Sequence, residues 1–119
     1  MREPAETGQI EPGEVVIPGL PDEATCQLLE RIARHRAVKR VVLYGSRAMG
    51  RHHAGSDIDL CLEAPGMGLG ELLELGAELD DLLLPWQVDL QVFHKLDHAP
   101  LQDHIARVGR VLWQRVPVP

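Results

Sequence analysis

Three stretches of this chain place apolar residues at the spacing of a helix. We therefore predict helices over residues 21–36, 69–83 and 100–108. Pro85 ends the second of these helices, and Pro100 suits the first turn of the third. The predicted buried positions are Leu28, Leu29, Ile32 and Ala33 in the first helix, Leu69, Leu72, Leu73, Gly76, Leu79 and Leu83 in the second, and Leu101, Ile105 and Val108 in the third.

Runs of alternating or β-branched residues between the helices predict the strands of a sheet. These runs cover residues 38–44, 57–63 and 87–93, and residues 111–116 add a short extended segment. The main elements follow one another as helix, strand, turn, strand, helix, strand and helix. This order favours an α/β (α+β) fold, in which a small mixed sheet has helices packed on one face.

Length and charge narrow the class of protein. For 119 residues we expect one domain over residues 21–116, preceded by a flexible arm over residues 1–20 whose scattered Pro and Gly show no period. The net charge of -6 argues against general nucleic-acid binding, but not against a nucleotide screened by a metal ion. We find no apolar run of membrane-spanning length and no secretory signal, and we expect a cytoplasmic protein with buried, reduced Cys26 and Cys61.

Three aspartates are the candidate catalytic and metal-binding residues. Asp57 and Asp59 are two positions apart on one predicted strand, so their side chains project from the same face. Asp89 lies on the polar face of the next predicted strand. If these faces align, three negative charges meet. Their repulsion favours a bound cation such as Mg²⁺, which prefers carboxylate oxygens.

The turn after the first predicted strand is the candidate phosphate-binding element. Gly45 lets the backbone approach a ligand closely, and Ser46 offers a hydroxyl and a backbone N–H to a phosphate oxygen. If this turn continues as helix to Gly50, its free N–H groups add an anion site. Arg47 adds positive charge nearby, and Ser56 directly precedes the paired aspartates. We assign all five residues to nucleotide binding.

The spacing of these residues resembles that of a known family. The motifs that carry the resemblance are Gly45-Ser46-x-x-x-Gly50, Ser56-Asp57-x-Asp59-Leu60 and Val88-Asp89-Leu90. They are similar to motifs of the nucleotidyltransferases of the DNA polymerase beta superfamily. The small size resembles the minimal nucleotidyltransferases, or MNT domains, of that superfamily, and the similarity covers about residues 22–116.

The resemblance implies a polymerase beta-like fold and a nucleotidyl transfer reaction. Asp57 and Asp59 would hold two Mg²⁺ ions, and Asp89 would help to bind one of them and assist the attacking hydroxyl. Gly45 and Ser46 would grip the triphosphate of ATP or another NTP. A nucleoside monophosphate, AMP in the case of ATP, would pass to the hydroxyl with release of pyrophosphate.

The resemblance also implies a partner protein. Stand-alone MNT proteins are often encoded beside a helical HEPN or substrate-binding protein, and several such pairs are toxin–antitoxin modules in which the MNT member is the antitoxin. Little chain follows Asp89, so we expect the acceptor hydroxyl on another chain. A spare apolar edge of the 69–83 helix suits a homo- or hetero-oligomer contact. Two alternatives stay open: an antitoxin that acts by binding alone, and an adenylyltransferase for small molecules such as antibiotics.

Overall fold

The computed structural model describes the backbone of residues 7–9 and the complete residues 17–116. Within these residues the strands are β1 (Thr7–Gln9), β2 (Arg40–Tyr44), β3 (Ile58–Glu63), β4 (Val88–Val92) and β5 (Arg110–Val116). The helices are α1 (Asp22–Ala33), α2 (Gly45–Ala48), α3 (Leu69–Asp80) and α4 (Ala99–Val108), and a 3₁₀ turn covers Phe93–Lys95. The three longer helices and the three main strands lie where the sequence predicted them.

The strands form one mixed sheet in the order β1-β5-β2-β3-β4. β5 runs antiparallel to both β1 and β2, β2 runs antiparallel to β3, and β3 and β4 are parallel. The prediction of a small mixed sheet is therefore confirmed. Residues 111–116, which we expected to add only a short segment, belong to an internal strand, because β1 pairs along one of its edges and β2 along the other. Leu112 and Trp113 of this strand are buried.

One face of the sheet holds the main core. Val41 and Leu43 of β2 and Leu60 and Leu62 of β3 are fully buried there. They pack in one cluster with α1 and α3, which supply Leu28, Leu29, Ile32, Leu75 and Leu79. Burial of such aliphatic side chains is the main driving force for folding. The predicted packing of α1 and α3 on a shared face is thus observed.

The opposite face carries a second, smaller core. Val42, Tyr44 and Cys61 project from β2 and β3 on that side and pack against Ile105 of α4. We expected the helices on one face only, whereas α4 lies on the other. The physical reason is that β2 is apolar on both faces, so each face needs a cover.

The buried face of α3 differs from the predicted one. Leu75 and Leu79 are in the core, whereas Leu69, Leu73 and Leu83 are 63%, 65% and 86% exposed. Our assignment of these last three leucines to the buried side was wrong. Because leucines occur around much of this helix, its periodicity fits more than one face, and only packing against the sheet selects among them.

Part of the predicted arm is structured. Thr7–Gln9 pair with β5, and Ile17 and Leu20 are buried in the main core, within the segment for which the sequence predicted a flexible arm. Residues 1–6 and 10–16 lie outside the described part of the chain.

The two cysteines lie in different environments. Cys61 is buried as predicted, whereas Cys26 is exposed on α1, and both are free thiols. No helix among the described residues is long and apolar enough to cross a membrane.

Candidate active site

The register of the sheet brings the candidate carboxylates together. Asp59 of β3 is paired directly with Asp89 of β4. Paired residues on neighbouring strands project from the same face, so the two side chains lie side by side. Asp57 immediately precedes β3 on the same chain segment. Asp59 is half-buried, whereas Asp57 and Asp89 are exposed, which leaves the cluster open to a ligand.

The three carboxylates form a region of uncompensated negative charge. Burial raises the pKa of Asp59, and the charges of Asp89 and Asp57 raise it further; His104 and Arg47 lower it by less. No salt bridge joins any of the three aspartates to another described residue. Like charges at close range in a partly buried site are costly unless a cation or a proton joins them.

These carboxylates fit a magnesium ion that arrives with a nucleotide. Mg²⁺ in proteins is commonly held by one or two carboxylates together with waters and substrate phosphates. Among the described residues, no group of three or more Asp, Glu, His or Cys side chains, the three aspartates included, is arranged to hold a metal ion by itself. The facing Asp59 and Asp89, with Asp57 beside them, match the first kind of site, and phosphate oxygens would complete it. The number of ions, which we expect to be two, stays a prediction.

The Gly-Ser turn lies directly beside the carboxylates. α2 begins at Gly45 immediately after β2, and Gly45 has a φ of 77°. A Cβ added to Gly45 would overlap the carboxylate of Asp59. Glycine is therefore required here both for the left-handed backbone and for the close approach to the acid. Ser46, the next residue, is half-buried, and its predicted contact with a phosphate remains a prediction.

Gly50 ends the short helix. Its φ is 71°, and its N–H donates to the carbonyl of Arg47 at 3.4 Å. No atom lies within 4 Å of the position that a Cβ would occupy at Gly50. This open space is compatible with the predicted approach of a ligand, which stays a prediction.

Arg47 and Ser56 lie beneath the turn instead of facing the open site. The guanidinium of Arg47 is 1% exposed and donates to the carbonyls of Pro18 at 2.6 Å and Ser56 at 2.7 Å. The hydroxyl of Ser56 accepts from the backbone N–H of His53 at 2.9 Å. We predicted that both residues bind the nucleotide, but this geometry gives them the role of supporting the loop. A buried guanidinium needs acceptors for its N–H groups, and here backbone carbonyls supply them. Burial lowers the pKa of Arg47.

Two residues near the site were not singled out from the sequence. His104 of α4 accepts a hydrogen bond at Nε2 from the backbone N–H of Gly45 at 3.3 Å. Its ring meets that of Tyr44 edge to face, with centroids 6.2 Å apart. The hydroxyl of Tyr44 makes a long contact of 3.5 Å with Asp89. No sequence spacing relates His104 to the turn, because only the packing of α4 on the sheet brings them together.

The Tyr44 hydroxyl stays protonated in this surrounding. Burial raises the pKa of Tyr44, and the charges of Asp89 and Asp59 raise it further. The neutral hydroxyl of Tyr44 can therefore donate to the carboxylate of Asp89, and Tyr44 adds no negative charge of its own to the site.

Residues 27–117 match a family model described as polymerase beta, nucleotidyltransferase. The chain belongs to this nucleotidyltransferase family. The predicted enzyme class and the predicted polymerase beta-like fold are thereby confirmed. The aspartates and the Gly-Ser turn described above lie within the matched region.

Solved structures of similar fold come from toxin–antitoxin systems. One is a toxin–antitoxin with AMP-PNP, which is 25% identical with a TM-score of 0.63 over 80% of this chain and 74% of that chain. Another is a mutant of the toxin–antitoxin MntA–HpeT, which is 25% identical with a TM-score of 0.61 over 80% of this chain and 73% of that one. The toxin–antitoxin MntA–HepT, at 19% identity and a TM-score of 0.60 over 79% and 73% of the two chains, shows the fold alone. No curated protein matches the sequence.

Proposed function

We propose that this nucleotidyltransferase moves the AMP group of ATP to a hydroxyl of a partner protein in a Mg²⁺-dependent reaction. The observation that carries the proposal is the pairing of Asp59 with Asp89 beside the Gly45 turn. Carboxylates suited to a metal thus adjoin a turn suited to a triphosphate. The choice of ATP is supported by AMP-PNP in a similar toxin–antitoxin structure.

Each site residue has a distinct part in the proposed reaction. Asp57 and Asp59 hold Mg²⁺, which when bound stabilises the charge on the phosphate oxygens and the leaving group. Asp89 orients the attacking hydroxyl and takes its proton. The hydroxyl oxygen forms a bond to the α-phosphorus while the bond from that phosphorus to pyrophosphate breaks. Tyr44 lies beside Asp89, with its hydroxyl 3.5 Å from the carboxylate.

The Gly-Ser turn holds the nucleotide in the proposed complex. Gly45 and Ser46 direct a backbone N–H and a hydroxyl to the triphosphate, next to Asp59. The N–H of Gly45 already has an acceptor in His104, so a phosphate oxygen would take the place of the imidazole nitrogen there. Holding the nucleotide and the hydroxyl in line is the main work of the protein in such transfers.

The partner in this proposal is a helical HEPN protein, and the chain acts as the antitoxin of a two-protein module in the cytoplasm. Two similar structures at 25% identity are toxin–antitoxins, which supports this part of the proposal. The exposure of Asp57 and Asp89 also supports it, because a protein surface can reach an open site.

A labelling experiment tests the proposal. The purified chain is incubated with Mg²⁺, ATP labelled at the α-phosphate and the protein encoded beside it, and label is expected on that protein. Asp57→Asn and Asp59→Asn should each lower the rate by at least about a hundredfold, since each removes a metal ligand. Asp97→Asn, which changes an exposed acid outside the site, serves as the matched control.

Two outcomes would contradict catalysis. Labelling that is equal in wild type and Asp59→Asn would exclude the proposed site, and labelling that survives removal of Mg²⁺ with a chelator would exclude the metal. If Asp59→Asn fully protected cells against the toxic partner while the partner carried no label, the chain would instead be an antitoxin that acts by binding alone.

A further inference from the structure

The middle of the chain carries acidic residues without basic ones. Between His52 and His94 there is no Lys or Arg, and the acidic residues are Asp57, Asp59, Glu63, Glu71, Glu74, Glu78, Asp80, Asp81 and Asp89. Both α3 and β4 lie in this segment. His35 bonds to two of these acids, Glu71 and Glu78. The exposed Glu74, Asp80 and Asp81 form no salt bridge with a described residue, so the surface along α3 is negatively charged.

A groove of about 400 Å³ lies between α3 and β4, and its lining is as polar as it is apolar, with Asp80 and Gln87 among the lining residues. Most of its lining is formed by Leu72, Leu73, Gly76 and Ala77 of α3 and by Val88 and Leu90 of β4. Side chains of β4 alternate between two faces, so Val88 and Leu90 lie on the groove side and the carboxylate of Asp89 on the site side.

Exposed leucines extend this groove. Leu73, in the wall, is 65% exposed, and Leu69, one turn earlier on the same helical face, is 63% exposed. Single exposed leucines are ordinary, but adjoining ones beside a groove are typical of an interaction surface.

We propose that this groove receives an amphipathic helix of the partner protein, with apolar residues turned into the groove and Lys or Arg beside them. A helix that lays its apolar face in a groove is a common mode of recognition. The apolar part of the proposed ligand matches Leu69 and Leu73, and its basic part matches Glu74, Asp80 and Asp81.

Charge favours a helix with basic flanks over other possible occupants of the groove. A second copy of the chain, related by a two-fold axis, would place one acidic α3 surface against another. Anionic membranes and nucleic acids would be repelled in the same way. The acidic surface along α3 attracts a helix with basic flanks, whereas it repels each of these alternatives.

The position of the groove connects it to the reaction. β4 is an edge strand in the order of the sheet, and it carries Asp89 between Val88 and Leu90. A helix in the groove therefore contacts the strand that carries Asp89, on the face opposite to the carboxylate. The inference rests on the proposed function in one respect, that the protein which docks here also presents the hydroxyl to Asp89.

Binding of a synthetic peptide tests the groove without knowledge of the natural partner. The probe is an amphipathic Leu/Lys helix, and a peptide of the same composition with scrambled periodicity is its control. Isothermal titration with the full chain should show binding of the first peptide only. Leu73→Gln should weaken binding about tenfold or more, because it removes one apolar anchor. Val111→Thr changes an apolar side chain that is 52% exposed outside the groove, and should bind as wild type does.

Two further variants separate docking from misfolding and from charge. Gly76→Met fills the groove while raising helix propensity, so it should block the peptide without lowering the unfolding midpoint. The double variant Asp80→Asn and Asp81→Asn should weaken binding most at low salt. Asp97→Asn is the charge control.

Several results would overturn the proposal. Equal binding of the probe by wild type and Leu73→Gln would exclude the groove as its site. A concentration-dependent dimer that Leu73→Gln abolishes would assign the groove to a second copy. Binding to anionic vesicles that depends on Leu73 would assign it to a membrane.

The docking proposal and the proposed reaction can fail separately. Asp59→Asn should keep peptide binding and lose nucleotidyl transfer. Leu73→Gln should keep the affinity for a fluorescent ATP analogue and lose labelling of the partner. Peptide binding that depends on Leu73, without transfer to any partner, would leave the groove standing and refute the reaction. If Leu73→Gln did not reduce transfer to the partner, the reaction would stand and the groove would be refuted as the docking site.

Discussion

Replacement of Arg47 tests whether this residue supports the site loop or binds the nucleotide. The Arg47 side chain is 1% exposed. Its guanidinium donates to the carbonyl of Pro18, which precedes α1, and to the carbonyl of Ser56, which precedes β3. The perturbation is Arg47→Met, which keeps the length of the side chain and removes every donor. Loss of stability is the expected main effect.

The magnitude follows from the bonds that are lost. The contacts to Pro18 at 2.6 Å and to Ser56 at 2.7 Å are good hydrogen bonds from a charged donor, and each contributes about 1.5–3 kcal/mol. The contact to Ala54 at 3.5 Å is too long to add much. Removal of a buried charge returns part of this free energy, because its desolvation cost disappears. The net decrease in the free energy of unfolding should be about 3 kcal/mol, or roughly 12 °C in the midpoint for a domain of this size.

Urea denaturation and thermal scans measure this change. Arg51→Met is the matched control, since Arg51 lies in the same loop, is exposed and has no side-chain bond to a described residue. Its effect should stay within about 0.5 kcal/mol. Arg47→Lys keeps the positive charge but not the fork of donors, so it should be nearly as unstable as Arg47→Met.

The opposite pattern would refute this interpretation. If Arg47→Met left the unfolding midpoint unchanged and raised only the KM for ATP, the guanidinium would be a nucleotide contact, as the sequence had suggested. Rescue of that KM by Arg47→Lys would strengthen the same conclusion.

Three further predictions concern other contacts. Burial lowers the pKa of His35, but its bonds to Glu78 and Glu71 raise it by more, so the net pKa is raised. The stability that protonated His35 contributes is therefore complete below the ordinary pKa of 6.5 and is lost as pH rises through the raised pKa. His35→Gln should lower the free energy of unfolding by about 1–2 kcal/mol at low pH, and the urea midpoints of this variant should depend less on pH. Gly45→Ala should cost about 1–3 kcal/mol in thermal unfolding and abolish transfer, and full activity would contradict the close approach to Asp59. Without divalent cations, Asp59→Asn should raise the thermal midpoint while transfer is lost, because burial and two neighbouring carboxylates oppose the charge.

Local periodicity was sufficient for most of the elements. α1, β2, β3 and β4 lie within the predicted segments, because each has an apolar face whose spacing is set by its own backbone. The sequence predicted only a short extended segment in place of β5. Nothing within residues 111–116 shows that β1 pairs with one edge of this strand and β2 with the other.

The candidate site divides in the same way. The placement of Asp57 and Asp59 on one side of a strand follows from the pleat, and the need for glycine at position 45 was visible in the turn. The inward direction of Arg47 was not visible, because the carbonyl of Pro18 that it contacts comes from a distant segment. His104 was missed for the same reason.

The sequence by itself determined which residues can share a face of one element, because helix and strand periods are properties of the backbone. Only the tertiary structure decided which faces meet. It set Asp59 opposite Asp89, placed α4 and His104 over the site face, and turned Leu75 instead of Leu73 toward the core. Apolar burial is non-directional, so a helix with leucines on two sides has two candidate buried faces. The packing of segments far apart in the chain selects one of them, and here it leaves the other exposed at the surface.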